Sequence, residues 1–274
     1  MGAGSGYKGK VREVQMWCKR LLTCSVGALL ISCAKSPPSG SALDATRLNF
    51  TINFNGPINP TYIYIVAIKV IDPAPTNDPL MTSLTNGPIP VTDIPSLNGM
   101  IGGWPTHYIV YVPGQTPPYQ VWRFPLTGVS SAPVNLAFPG VLVGNVLSSD
   151  LIDPANPDGT YGQTMSFDID TSYLDQYTTG PGAVKQIQVN ILTANVAALS
   201  ENDVSGRVLD AIGNQSAFGD ATFNFPVTIN LDTGFMYKDG QGNLPAEAAG
   251  DTFPINSSLP AVDMTSWSIT VTPP

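Results

Sequence analysis

Leu48, Phe50, Ile52 and Phe54 alternate with Asn49, Thr51, Asn53 and Asn55, which puts every apolar side chain of this stretch on one face of an extended strand. Gly56-Pro57 breaks the run, since proline cannot donate to a strand ladder. From Tyr62 to Ile71 the residues are apolar on both faces except for Lys69, the pattern of a central strand covered on two sides. Together the two segments predict a hairpin at the heart of a sheet. Further alternating runs occupy 107–112, 119–124, 164–170, 185–193, 222–231 and 266–272, separated by clusters of Gly, Pro, Asn and Asp that end strands and form turns.

Helices find little support. The chain holds 26 prolines and 26 glycines, and the one stretch with helical spacing, 203–212, is weakened by Gly206. At most one short helix is expected. Strands that are apolar on one face and polar on the other, without long helices, bury themselves most simply as two sheets packed about 10 Å apart. The expected fold class is therefore all-β, an immunoglobulin-like or jelly-roll-type β-sandwich spanning 47–274. A division into two halves near 148–162 is a second possibility given the size of the region. The long connections 72–105 and 148–162 exceed ordinary hairpin loops and are the places to look for a binding surface.

The start of the chain follows different rules. Lys8, Lys10, Arg12, Lys19 and Arg20 precede an uncharged run, Leu21 to Ser32, that is shorter than the roughly 20 apolar residues a membrane-crossing helix needs. This is the layout of a secretion signal over 1–32, in which 1–15 read as an extended n-region or a mis-assigned start. At its end, Leu30-Ile31-Ser32-Cys33 resembles the lipobox of bacterial lipoproteins. The resemblance covers only this N-terminal segment. It implies cleavage before Cys33 and attachment of a diacylglyceryl group to its sulfur, so that Cys33 becomes the first residue of the mature protein. Two or three acyl chains, each buried methylene adding about 0.8 kcal/mol, anchor a protein durably without a transmembrane helix. Residues 33–46, small, polar and proline-bearing, read as a lipidated flexible leash. The implied location is the bacterial cell envelope, with outer membrane or cell surface favoured by Ala34 after the cysteine.

Composition narrows the rest. The net charge is −8 for the whole chain, and the five basic residues and Glu13 before Cys33 leave −12 for the remainder. Such a body repels phosphate backbones, so nucleic acid is not an expected partner. All three cysteines, Cys18, Cys24 and Cys33, fall in the signal or at its cut site. The exported domain thus has neither disulfide nor cysteine-based metal site and depends on its apolar core.

No set of residues announces a reaction. His107 is the only histidine, so multi-histidine metal sites are impossible and a catalytic triad would rest on it alone; a strand-end histidine meeting solvent or a backbone carbonyl is the simpler reading. Asp232-Thr233-Gly234 resembles the Asp-Thr-Gly of aspartic proteases, which need two such carboxylates, but there is one copy and Phe235 follows it; a turn closing a strand accounts for it better. Asp150, Asp153, Asn156 and Asp158 with Gly159 gather oxygen atoms in a short loop of the kind Ca²⁺ prefers, with Asp168, Asp170 and Asp175 able to add ligands only if the fold brings them close. The spacing is not that of an EF-hand, and a solvated turn is favoured. Trp104, Trp122 and Trp267 with Tyr108, Tyr111 and Tyr119 could form a platform for a sugar or a partner, though their place on or beside strands favours core packing. Glu201 and Glu247 are the only glutamates after Cys33, so a glycosidase would have to lean on aspartates. Gly-rich phosphate loops, Cys-x-x-Cys pairs and haem motifs are absent from the sequence.

The expectation is a lipid-anchored envelope protein whose sandwich has a structural or binding role, more a binding module than an enzyme. It needs no cofactor, its membrane partner is reached through the anchor, and its other partner is an envelope protein or glycan. The alternative is an Asp-dependent, calcium-supported hydrolase of extracellular polysaccharide or peptide.

Overall fold

A computed structural model describes residues 45–72, 89–90, 101–102, 105–123, 141–174, 184–194, 208–213, 226–252 and 259–274. Two antiparallel sheets pack face to face as a β-sandwich, the all-β class that the alternating runs predict. The first strand, β1 (Arg47–Phe54), lies in the five-stranded sheet. β2 (Ile63–Asp72) follows in the seven-stranded sheet, to which β5 (His107–Tyr111), β6 (Tyr119–Arg123) and β7 (Val141–Asn145) return after a separate two-stranded pair, β3 (Ile89–Pro90) with β4 (Ile101–Gly102). The chain returns to the first sheet for β8 (Leu147–Ile152) and β9 (Thr164–Asp170). It crosses again for β10 (Gln186–Ala194), β11 (Val208–Ala211) and β12 (Val227–Asn230), and ends with β13 (Met236–Lys238) and β14 (Met264–Thr272) in the first sheet. The five-stranded order is β13-β14-β1-β9-β8. The seven-stranded order is β11-β10-β2-β5-β6-β7, with β12 also paired to β10. Each sheet draws strands from both sides of 148–162.

Three expectations are corrected. The 47–54 and 62–71 segments are strands but not a hairpin, because β1 and β2 belong to different sheets. Their inner faces are both needed to fill one core, and Phe54 and Tyr64 meet ring edge to ring face at 5.2 Å across it. The helical spacing near 203–212 gives a strand over Val208–Ala211, buried throughout; a fully buried short run satisfies helical and strand periodicity equally. The connection at 148–162 is in part strand, since β8 extends to Ile152. Among the described residues the only helical turn is a 3-10 turn, Thr171–Tyr173, capped by the Asp170 carboxylate. No helix among them is long and apolar enough to cross a membrane.

Alternation sets the core. In β1 the even-numbered residues are buried and the odd-numbered ones half-buried, and β14 and β9 pair with it on either side. Phe50 stacks on Phe167 at 5.3 Å, and Tyr119 from the opposite sheet closes on Phe167 at 4.5 Å. The other face of the seven-stranded sheet is also apolar and buried: Ile65, Ala67, Tyr108, Val110, Leu192 and Val208 form a second cluster there, which explains why 62–71 lacks polar alternation. The outer face of the five-stranded sheet is a polar lattice. Asn49 Nδ2 donates to Asp168 Oδ1 at 2.6 Å, Asn53 Nδ2 to Ser266 Oγ at 2.9 Å and Thr164 Oγ1 to Asn53 Oδ1 at 2.7 Å.

The sandwich has two distinct ends. At one lie Arg47, its register partners Thr272 and Asp170, and the start of β10, tied across the sheets by Thr46 Oγ1 donating to the Leu231 carbonyl. We call this the leash end, because the chain enters β1 there. At the far end lie Phe54, Ala194, the 153–162 loop and the entry to β14, joined by Tyr64 Oη donating to the Ala261 carbonyl and Thr193 Oγ1 to that of Val262.

Candidate functional site

The residues that the sequence points to are not brought into one place. Cys33, Trp104, Asp175 and Glu201 lie outside the described residues, and the side chain of Asp150 is not described. His107 is fully buried rather than meeting solvent. Its Nδ1 is 3.0 Å from Thr106 Oγ1, and burial, helped by the nearby Arg123 charge, lowers its pKa to about 3. An imidazole that stays neutral and enclosed is a structural group. Asp232 sits in the turn after β12, where its exposed carboxylate accepts from Lys185 Nζ at 2.8 Å, so Asp232-Thr233-Gly234 closes a strand.

In the 153–162 loop one oxygen of each carboxylate is hydrogen-bonded. Asp153 Oδ1 accepts from the Ala155 N–H and from Tyr111 Oη, and Asp158 Oδ1 accepts from the N–H and hydroxyl of Thr160. Those hydrogen bonds hold the Asp158 pKa below the usual value. Asp168 is engaged by Asn49, and Asp170 caps the 3-10 turn at the leash end, away from the loop. The aromatics divide between core and outer cluster. Tyr111, Tyr119 and Trp267 are buried between the sheets, and Tyr108 stacks on half-buried Trp122 with ring centres 6.2 Å apart. The gap between the sheets, lined by Ile52, Tyr64, Tyr119 and Phe167 among others, has room for about one water molecule, well short of the roughly 300 Å³ of a small ligand pocket.

What the fold does assemble is a group of acids at the far end. Asp210 on β11, Asp251 and Asp263 are all buried, and each places an oxygen within 4.8 Å of the others. Backbone donors fix two of them: Asp210 accepts from Met264 N at 2.6 Å and Ala211 N at 2.8 Å, and Asp263 accepts from Gly250 N at 2.8 Å. Asn55 Nδ2 adds a bond to Asp263 at 2.8 Å. Glu247 borders the group and accepts from Gly213 N at 2.9 Å. Burial, with the charges of Glu247, Asp251 and Asp263 added, raises the Asp210 pKa well above the carboxylate range; burial and the Asp251 charge raise Glu247 to about 8. Chemically such a group either shares protons or surrounds a hard cation with oxygen.

The sequence offered one hint of it. Asp210 interrupts the otherwise apolar Val208-Leu209-Asp210-Ala211-Ile212, and a lone acid in a buried strand must have partners. Those partners come from loops 41 and 53 residues further on, which no local spacing could foretell. No family model matches the chain, and no curated protein or solved structure is detectably similar to it.

Proposed function

We propose that this protein is an exported lipoprotein of the bacterial cell envelope, in which Cys33 carries the lipid and the β-sandwich is a structural or binding body held at the membrane surface. The observation that carries this reading is the order Leu30-Ile31-Ser32-Cys33 after a basic segment and a short apolar run, in the arrangement that signal and lipid attachment require. The domain beyond it has the matching character. It is acidic, contains no cysteine and rests on an apolar core drawn from both sheets, so it needs no redox-dependent crosslink in any compartment.

The test is metabolic labelling with radioactive palmitate in a bacterial host. The native chain takes up label and partitions with membranes; Cys33→Ser takes up none and retains its uncleaved signal. Equal labelling of the two versions overturns the reading.

A further inference from the structure

We propose that the leash end of the sandwich faces the bilayer and that the rim formed by Phe235 and Met236 rests in its headgroup layer. This inference rests on the lipid-anchor reading and adds an orientation and a contact surface to it.

Three observations converge. The first is where the tether ends. Twelve residues separate Cys33 from Thr46, about 45 Å at full extension, and the chain enters the body at Arg47, at one end of β1. Phe235 is at that same end: its carbonyl accepts from Val271 N at 2.9 Å, and Val271 pairs with Leu48, next to Arg47. β13 is two strands from β1, about 10 Å to the side. The rim is therefore confined close to the surface that holds the lipid, and confinement makes even a weak apolar contact effective.

The second is apolar exposure. Phe235 is 47% exposed and Met236 51% exposed, adjacent in sequence on a rim where the exposed Asp232 carboxylate is paired with Lys185. An aromatic and a flexible apolar side chain at the edge of a polar body suit the boundary between headgroups and acyl chains.

The third is charge. Among the side chains that the structure describes, Arg47, Lys69, Arg123 and Lys185 all lie in the half nearer the leash, with Asp168, Asp170 and Asp232, while Lys238 is at mid-height. Toward the far end the exposed acids among the described residues are Asp153 and Asp158, with Asp239 half-buried. A membrane surface bearing anionic lipid repels the acidic end and accepts the balanced one.

The experiment uses the full, lipidated chain in vesicles of phosphatidylethanolamine with a minority of phosphatidylglycerol. With Cys33 blocked by lipid, a cysteine placed in the body is the only reactive thiol. Phe235→Cys and Met236→Cys carry an environment-sensitive nitrobenzoxadiazole probe. Ile152→Cys, an equally exposed apolar position away from the rim, and Asp158→Cys, at the far end, serve as controls. Thermal melts of the four variants establish that each is folded. Expected are a blue shift at 235 and 236 and loss of about half or more of their emission when headgroup-level spin-labelled lipid is included, with neither effect at 152 or 158. Quenching at 158 as strong as at 235, no quenching at 235, or a blue shift at 235 without lipid quenching, which means that protein covers the rim, each overturns the orientation. Palmitate labelling of the same preparations separates the two levels. Labelled protein with an unquenched rim defeats the orientation alone, whereas absence of label on Cys33 defeats the anchor reading itself.

Discussion

Gly144 shows how little freedom a single position in this sandwich has. A Cβ at Gly144 would overlap Cε1 of Tyr173, and Tyr173 is held in place by donating its hydroxyl to the Asn145 carbonyl at 3.0 Å. Gly144→Ala is expected to cost about 1–3 kcal/mol through overpacking, read as a lower urea midpoint, and Tyr173→Leu in the same chain should restore part of the loss. The acid group makes a second prediction. Asp263→Ala removes the acceptor of Gly250 N and Asn55 Nδ2, while Asp263→Asn keeps an acceptor oxygen and removes one of the charges that press on Asp210. The asparagine variant should therefore be the more stable by about 1 kcal/mol or more, measured by thermal denaturation; equal losses would show that the charge does not matter there.

Strands with one buried face were legible in the sequence, and those without one were not. β1, β9 and β14 follow their apolar alternation almost residue for residue, because each sets polar side chains on the face opposite its core face. β7 carries no such signal because Val141 and Leu142 are both exposed and no alternation marks it, and β13 is only three residues long. Order along the chain does not give adjacency for β1 and β2: a Gly-Pro break says that a strand stops, not which sheet the next one joins. Between elements, the polar lattice on the outer sheet is open to test. Asn49→Ala deletes the 2.6 Å bond to the buried Asp168 carboxylate between β1 and β9, and a loss of about 1.5–3 kcal/mol is expected for a bond to a charged group, seen as a lower unfolding midpoint. The same substitution at Asn156, whose amide bonds only Thr160 in an exposed loop, should be close to neutral.

Across the whole molecule, two buried groups set opposing pH limits on stability. His107 titrates at about 3 in the fold against 6.5 when free, so the unfolded chain takes up the extra proton and stability falls as pH drops from 6.5 toward 3. Glu247 titrates at about 8 against 4.5; the native state holds that proton longer, and stability falls as pH rises from 4.5 to 8, with Asp210 acting in the same direction. Each slope is at most about 1.4 kcal/mol per pH unit. From pH 4.5 to 6.5 the His107 and Glu247 slopes nearly cancel and the Asp210 slope remains, so the domain should be most stable near the acid edge of that range, at about pH 4 to 4.5, and lose stability as pH rises from there. Urea midpoints against pH test this, and Glu247→Gln should flatten the alkaline side. The place where the chain enters the body has a mechanical consequence. Since β1 is flanked by β14 and β9 along its length and ladder bonds run perpendicular to the strands, a pull on the N-terminus along the strand axis loads both ladders in shear. A drag force on the protein would then have to break many bonds at once instead of peeling a strand away one bond at a time.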